Sequence, residues 1–281
     1  MTIQQVYHFL QQQLSTIYDT DEAANIADLV IEHITGYKKL GRITHKDLLM
    51  NKKQIEQLQT LTIDLLEHKP VHYVLGEAWF YEMKFYVNEH VLIPRPETEE
   101  LVELVTSYKL PVTSILDIGT GSGCIPITLK KKLPKAHVTS IDISANALAV
   151  AQQNAANLNT EISFKELDFL NETNWADLDC YDIIVSNPPY IKQSESANMH
   201  VNVLLFEPHI ALFVEDEDAL LFYRKIADFG KTHLNALGKI FVEINEVLGA
   251  ETVTLFESYG YEAILKKDMQ GKDRMIIATI L

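Results

Sequence analysis

The chain has 281 residues, of which 47% are hydrophobic and 22% charged, with a formal net charge of −15. That length buries most of its apolar surface in one large domain, or in a domain with a small appendage, without disulfide staples. The acidic balance repels phosphate at long range and argues against a duplex nucleic-acid substrate, although a local basic patch could override the net sign.

Residues 1–70 carry only −2 of this charge and read as a small helical bundle. Ile3, Val6, Tyr7, Leu10 and Leu14 recur at helical spacing. A second amphipathic run follows Asp21 through Ala24, Ile26, Ala27, Val30, Ile31 and Ile34, and ends at Gly36, a C-cap candidate. Thr44 to Lys69 holds one or two more helices, with Leu48, Leu49, Ile55, Leu58, Leu61, Leu65 and Leu66 as core positions. The start of the chain lacks a basic n-region followed by an apolar h-region, and no stretch reaches the ~18 apolar residues of a membrane helix. A cytoplasmic protein, with no membrane contact, is expected.

Residues 71–93 are rich in β-formers (Trp79, Phe80, Tyr81, Phe85, Tyr86, Val87) and read as a β-hairpin linker. Residues 94–281 form the second domain. From Ser114 onward short apolar runs alternate with helical patterns. Strands are expected at 114–118, 138–143, 162–169, 182–186, 239–244, 263–267 and 275–280. Helices are expected at 124–133, 145–158, 218–234 and 250–259. This alternation predicts an α/β fold, a mostly parallel sheet covered on both faces. The last two strands are joined too tightly for a crossover helix, so they pair antiparallel. Cys124 and Cys180 each sit beside an apolar run and read as buried free thiols.

The strand at 114–118 runs into Gly119-Thr120-Gly121-Ser122-Gly123, where a helix begins. Glycines there let the chain turn sharply and let a ligand approach the main chain. Nicotinamide dehydrogenases share a glycine-rich first turn, but the Gly-x-Gly-x-x-Gly spacing is absent. Asp142 ends the second strand, where a carboxylate can accept from both hydroxyls of a ribose. Asp168 and Phe169 end the third, where an acid and an aromatic can hold an adenine amine and ring.

The fourth strand delivers Asn187-Pro188-Pro189-Tyr190 to the same edge of the sheet. Two prolines cannot continue a central strand, so the chain leaves in a stiff turn. An amide or aryl-amine nitrogen is a poor nucleophile because its lone pair is delocalised. Two acceptors, the Asn187 side-chain oxygen and the Pro188 carbonyl, can hold its two N–H groups and aim the lone pair. Tyr190 can stack on its flat face. The gain is positioning, not acid–base relay.

The glycine turn and Asn187–Tyr190 loop together resemble the amino-methyltransferases of the seven-stranded Rossmann-like class. The stretches 70–76 (PVHYVLG), 92–99 (LIPRPETE) and 206–212 (FEPHIAL) resemble the HemK/PrmC family of release factor glutamine methyltransferases. The resemblance covers nearly the whole chain from about residue 70. It implies a seven-stranded sheet with one antiparallel strand, and residues 1–70 with the hairpin are expected to form the docking surface for so large a partner as a release factor. It also implies S-adenosylmethionine, converted to S-adenosylhomocysteine, and no metal. The substrate would be the glutamine amide of a Gly-Gly-Gln motif in peptide chain release factors. Gly119 to Gly123, Asp142 and Asn187 would contact the cofactor, and Phe169 stands where the family has an aromatic near the adenine, beside the Asp168 read above from its place at the strand end. Asn187, Pro188, Pro189 and Tyr190 would hold the amide. Arg95 and Glu97 border the site in the family, as active-site groups or as a structural salt bridge, and residues 192–203 are open to a lid role.

Other readings stay open on the residues alone. The exocyclic amine of adenine in DNA or RNA fits the same loop, against the acidic charge. A nicotinamide-dependent oxidoreductase fits the glycine turn but leaves Asn187–Tyr190 without a role, and a non-catalytic binding module leaves it without a reason. His68 and His72 have metal-like spacing but straddle Pro70, which disfavours a shared helix face. Lys130-Lys131-Lys132 reads as a solvated helix C-terminus.

Overall fold

The computed structural model describes residues 1–108 and 111–281. They divide into two compact units, Met1–Glu77 with 200–206, and Ala78–Met199 with 207–281.

The first unit contains α1 (Ile3–Leu14), α2 (Thr20–Thr35), α3 (Lys39–Thr44), α4 (Lys52–Leu66) and α5 (Val71–Leu75). Thr2 and Asn51 each form a reciprocal capping box, and Gly36 closes α2 in the left-handed conformation at φ 76°. Val6, Leu10, Leu14, Ala27, Val30, Ile31, Leu58 and Leu65 face inward as one core. Leu48 and Leu49, expected in a helix core, are exposed instead. Their segment is extended and clipped to the N-terminus: Ile3 N–H donates to Leu48 O at 2.9 Å and Thr2 bridges Leu49. Residues 71–75 are helical, so the hairpin read at 71–93 is shorter.

That hairpin is β1 (Glu77–Phe80) and β2 (Met83–Tyr86), turning through Tyr81 and Glu82 at positive φ. An unforeseen helix, α6 (Pro96–Thr106), follows. Its signal was present, because Pro96 at the first helical position followed by Glu97 and Glu99 suits a helix N-terminus.

The second unit continues with β3 (Ser114–Ile118), α7 (Cys124–Lys132), β4 (His137–Asp142), α8 (Ala145–Asn157), β5 (Ser163–Glu166) and β6 (Tyr181–Ser186). Then come β7 (Ile191–Lys192), α9 (Val201–Phe206, grouped with the first unit), β8 (Phe213–Val214) and α10 (Leu221–His233). The chain closes with β9 (Leu234–Glu243), α11 (Gly249–Ser258), β10 (Tyr261–Lys267) and β11 (Asp273–Ile280). Seven strands form one sheet in the order β10-β11-β9-β6-β3-β4-β5. All neighbours are parallel except β11, which is antiparallel to both β9 and β10. Pleating sends alternate residues to opposite faces. Leu116, Ile184, Ile240 and Val242 join one core, and Ile115, Ile183, Val185 and Phe241 the other. Each such side chain stabilises the fold by about 1.5–3 kcal/mol on burial.

Two smaller differences matter below. β5 ends at Glu166, so Asp168 and Phe169 lie in the loop beyond the strand. Cys124 is buried as expected, and burial pushes its thiol up to about 12, but Cys180 is exposed in the approach to β6.

Candidate active site

Three strands release the chain at one level. Ile118 pairs with Ser186 across β3 and β6, and Ser186 pairs with Val242 across β6 and β9. The residues that follow, Gly119, Asn187 and Glu243, therefore stand side by side at the C-terminal edge of the sheet. Strand order reverses between β3 and β6, which in open α/β sheets marks the ligand crevice. A cavity of about 200 Å³ opens there. Gly119, Thr120, Gly121, Ser122, Asp142, Asp168, Phe169, Asn187, Pro188 and Pro189 line it, whereas Gly123 and Tyr190 do not.

Gly119 and Gly121 hold φ of +81° and +51°, and a Cβ on either would meet nothing within 4 Å. Gly119 and Thr120 N–H both donate to Ile141 O, at 2.9 and 3.1 Å. Asp142 Oδ2 accepts from Gly121 N–H and its Oδ1 from Ser144 N–H, each at 2.9 Å. Burial raises the Asp142 carboxyl above its ordinary pKa, and these N–H groups pull it back. Beneath the loop Asp117 is fully buried, and its Oδ2 accepts from Ser140 Oγ at 2.6 Å. Ser140 Oγ is in turn bonded to Thr120 Oγ1. Burial pushes Asp117 up to about 7, against the hydroxyls of Ser140 and Thr120. Ser122 Oγ, in the cavity wall, is buried, with the Cys124 thiol beside it.

Gly123, outside the cavity lining, has a packing role. A Cβ there would lie 3.0 Å from Ile127 Cδ1 and 3.1 Å from Ala151 Cβ, so its absence lets α7 approach α8. Asp168 Oδ1 accepts from Leu170 N–H at 3.0 Å, which shapes the loop. Phe169 packs 5.6 Å from Trp175 and 5.4 Å from Phe229, ring centre to ring centre, while still meeting the cavity.

The Asn187 side chain donates through Nδ2 to Thr98 Oγ1 at 3.1 Å. Thr98 Oγ1 donates to Glu243 Oε2 at 2.7 Å, and Tyr190 OH donates to Glu243 Oε1 at 3.0 Å. The Tyr190 hydroxyl is turned inward to this carboxylate, which fixes the position of the ring expected to stack on a substrate. A buried carboxylate must be hydrogen-bonded, and the Tyr190 hydroxyl supplies one of the bonds. Burial raises the Glu243 carboxyl, and Thr98, Tyr190 and the Arg274 charge pull it back. Burial and the Glu243 charge push the Tyr190 phenol well above its ordinary range.

Arg95 also lines the cavity, and its Nη2 donates to Glu207 Oε1 at 2.6 Å. Its partner is thus Glu207 of the 206–212 motif, while Glu97 stands outside the cavity wall. Ile93 N–H donates to Glu207 Oε2 at 3.3 Å, so the two motifs hold each other. Asp117, Glu243 and Glu207 were missed in the sequence. Asp117 and Glu243 carried a signal, a charge among the last two residues of a strand otherwise buried on both faces.

Fold and site define a Rossmann-like methyltransferase. The chain matches the PrmC N-terminal domain over residues 5–76 and the Methyltransferase small domain over residues 98–212. It is 47% identical over 271 residues to the release factor glutamine methyltransferase of Flavobacterium psychrophilum, covering 94% of each chain. It is 39% identical over 272 residues to that of Bacteroides thetaiotaomicron, covering 96% of this chain and 98% of the other. Among solved structures, a methyltransferase from Pyrococcus furiosus superposes with a TM-score of 0.52 at 15% identity, covering 83% of this chain and all of that one, which speaks for the fold alone. The chain belongs to the family of release factor glutamine methyltransferases.

Proposed function

We propose that the protein transfers a methyl group from S-adenosylmethionine to the side-chain amide nitrogen of glutamine in the Gly-Gly-Gln motif of peptide chain release factors. The observation that carries this reading is the polarity of Asn187. Its Nδ2 is held by Thr98, so its Oδ1 remains as an acceptor in a residue that lines the cavity. A primary amide offers two N–H groups, and Asn187 Oδ1 with the Pro188 carbonyl would accept them. Holding both leaves the nitrogen lone pair aimed out of the N–H plane, and the catalytic gain is orientation.

The cavity wall fits S-adenosylmethionine. Gly119 and Gly121 leave open space where a Cβ would stand, and Ser122 Oγ is a buried hydroxyl in the same wall. Each Asp142 oxygen accepts one N–H and keeps a lone pair for a ribose hydroxyl. Asp168 and Phe169 line the same cavity and would meet the adenine. S-adenosylmethionine supplies an electrophilic methyl group when bound.

A release factor is a large partner that one loop cannot select. The first unit would dock it, and exposed Leu40 and Leu49 are the candidates for contact. Such a substrate implies a cytoplasmic activity, and no helix among the described residues is long and apolar enough to cross a membrane. Because 200–206 belong to the first unit, point substitutions test docking better than truncation. Leu40→Ser with Leu49→Ser should raise KM for an intact release factor and leave a short Gly-Gly-Gln peptide unaffected; equal effects would remove the docking role.

The central test offers labelled S-adenosylmethionine with a release factor, its Gln→Ala variant, and adenine-containing DNA and RNA. Label is expected on the wild-type release factor alone. Transfer to nucleic acid and not to the release factor would overturn the reading.

A further inference from the structure

Asn187 could present either end of its amide to the cavity, and nothing in its own motif settles which. Pro188 and Pro189 have no N–H, and the Tyr190 hydroxyl is directed at Glu243. The setting comes from elsewhere in the chain. Glu243 is 2% exposed and ends β9, and Thr98 is 3% exposed in the first turn of α6. A threonine hydroxyl has one hydrogen. Here it points to the Glu243 carboxylate, 2.7 Å away, so Thr98 can only accept from Asn187. The amide must then turn its NH2 group inward and its oxygen outward.

We propose that Glu243 and Thr98 are positioning residues that set the polarity of the Asn187 amide, so that Oδ1 is presented as the acceptor for an N–H of the substrate amide. This deepens the proposed methyl transfer and rests on it. Glu243 grips the loop twice, through Thr98 at its first residue and through the Tyr190 hydroxyl at its last.

The relay has a directional consequence. Glu243→Gln is isosteric, but with Tyr190 still donating to Oε1 the new NH2 group faces Thr98. Thr98 then accepts, its hydrogen turns to Asn187, and the amide rotates to put NH2 toward the cavity. A conservative change therefore inverts the polarity. Thr98→Val removes the link, and Thr98→Ser keeps the hydroxyl.

The experiment measures methylation of an intact release factor, binding of S-adenosylhomocysteine by calorimetry, and the side-chain amide resonance of Asn187 in asparagine-labelled protein. Glu243→Gln and Thr98→Val should each lower kcat roughly 10- to 100-fold, the scale of a lost or reversed hydrogen bond. S-adenosylhomocysteine affinity should stay within twofold, and Thr98→Ser should recover most of the rate. The Asn187 NH2 resonance should shift and lose exchange protection in Thr98→Val and keep both in Thr98→Ser. The double variant should cost no more than the worse single one, because one relay is broken once.

Rates within twofold of wild type in both variants, or equal losses in Thr98→Ser and Thr98→Val, would overturn the proposal. An unmoved Asn187 resonance in Thr98→Val would do the same. If Glu243→Gln does not fold, the Thr98 pair decides alone, since those variants differ at the hydroxyl and one methyl. If the wild type methylates no release factor, the Asn187 resonance still reads the relay, so the two readings fail separately.

Discussion

The backbone N–H of Gly121 donates to Asp142 Oδ2 at 2.9 Å, which ties the loop after β3 to the end of β4. The same carboxylate holds Ser144 N–H, so one side chain both shapes the cavity wall and faces its contents.

Asp142→Asn keeps one acceptor but offers an NH2 group to one of those two N–H donors. S-adenosylmethionine should bind roughly 10- to 100-fold more weakly, as for loss of hydrogen bonds to a charged group. Turnover at saturation should change far less. Calorimetry and saturation kinetics separate the two, and unchanged affinity would exclude Asp142 from the cofactor site.

Asp117 gives a pH dependence of definite sign. Its folded pKa of about 7 lies above the ordinary aspartate value of 3.8, so between these pH values the folded state binds more protons. Stability from this group therefore falls as pH rises through the window, by at most about 1.4 kcal/mol per pH unit. Acidification from pH 8 to 5.5 should stabilise the wild type relative to Asp117→Asn in urea titrations. A constant difference between the two proteins would show that Asp117 does not titrate there.

The glycines of the loop should separate by role. Gly121→Ala adds a methyl into open space, so its folding cost is the backbone strain of about 1–2 kcal/mol. Its main effect should be weaker cofactor binding. Gly123→Ala adds the same strain and also crowds Ile127 and Ala151. It should lower the melting temperature more than Gly121→Ala does. The reverse order would contradict the packing role of Gly123.

Arg95→Ala leaves Glu207, whose side chain is 1% exposed, without its cation. Removing one partner of such a pair costs about 3 kcal/mol or more. Glu207→Gln in the same chain should recover part of that loss, because Ile93 N–H retains an acceptor. Denaturant midpoints of the single and double variants give the coupling directly.

Much of the site was legible because its signals are local. Gly119-Thr120-Gly121 turns where a strand meets a helix, and Asn187–Tyr190 interrupts a strand pattern, so each announces itself within a few residues. Thr98 and Glu243 lie 145 residues apart and meet only through the fold. The orientation of Tyr190 was illegible for the same reason, since the carboxylate that draws its hydroxyl inward is 53 residues away. Gly123 sits in the loop pattern, yet only the closeness of α8 shows that packing requires it. Leu48 and Leu49 fit a helical period by chance, and pairing with the chain start overrode it.

The shared register of Ile118, Ser186 and Val242 makes the spacing of Gly119, Asn187 and Glu243 a property of the central ladder. Core strands of this kind open only with global unfolding, whereas exposed turns open locally. Fluctuations in the hairpin or in the turns at 193–198 should leave the three positions in step. Amides of 115–118, 183–186 and 240–242 would then exchange with solvent at the slow limit of the protein, and the site would be lost as a unit, at the same denaturant concentration as the fold.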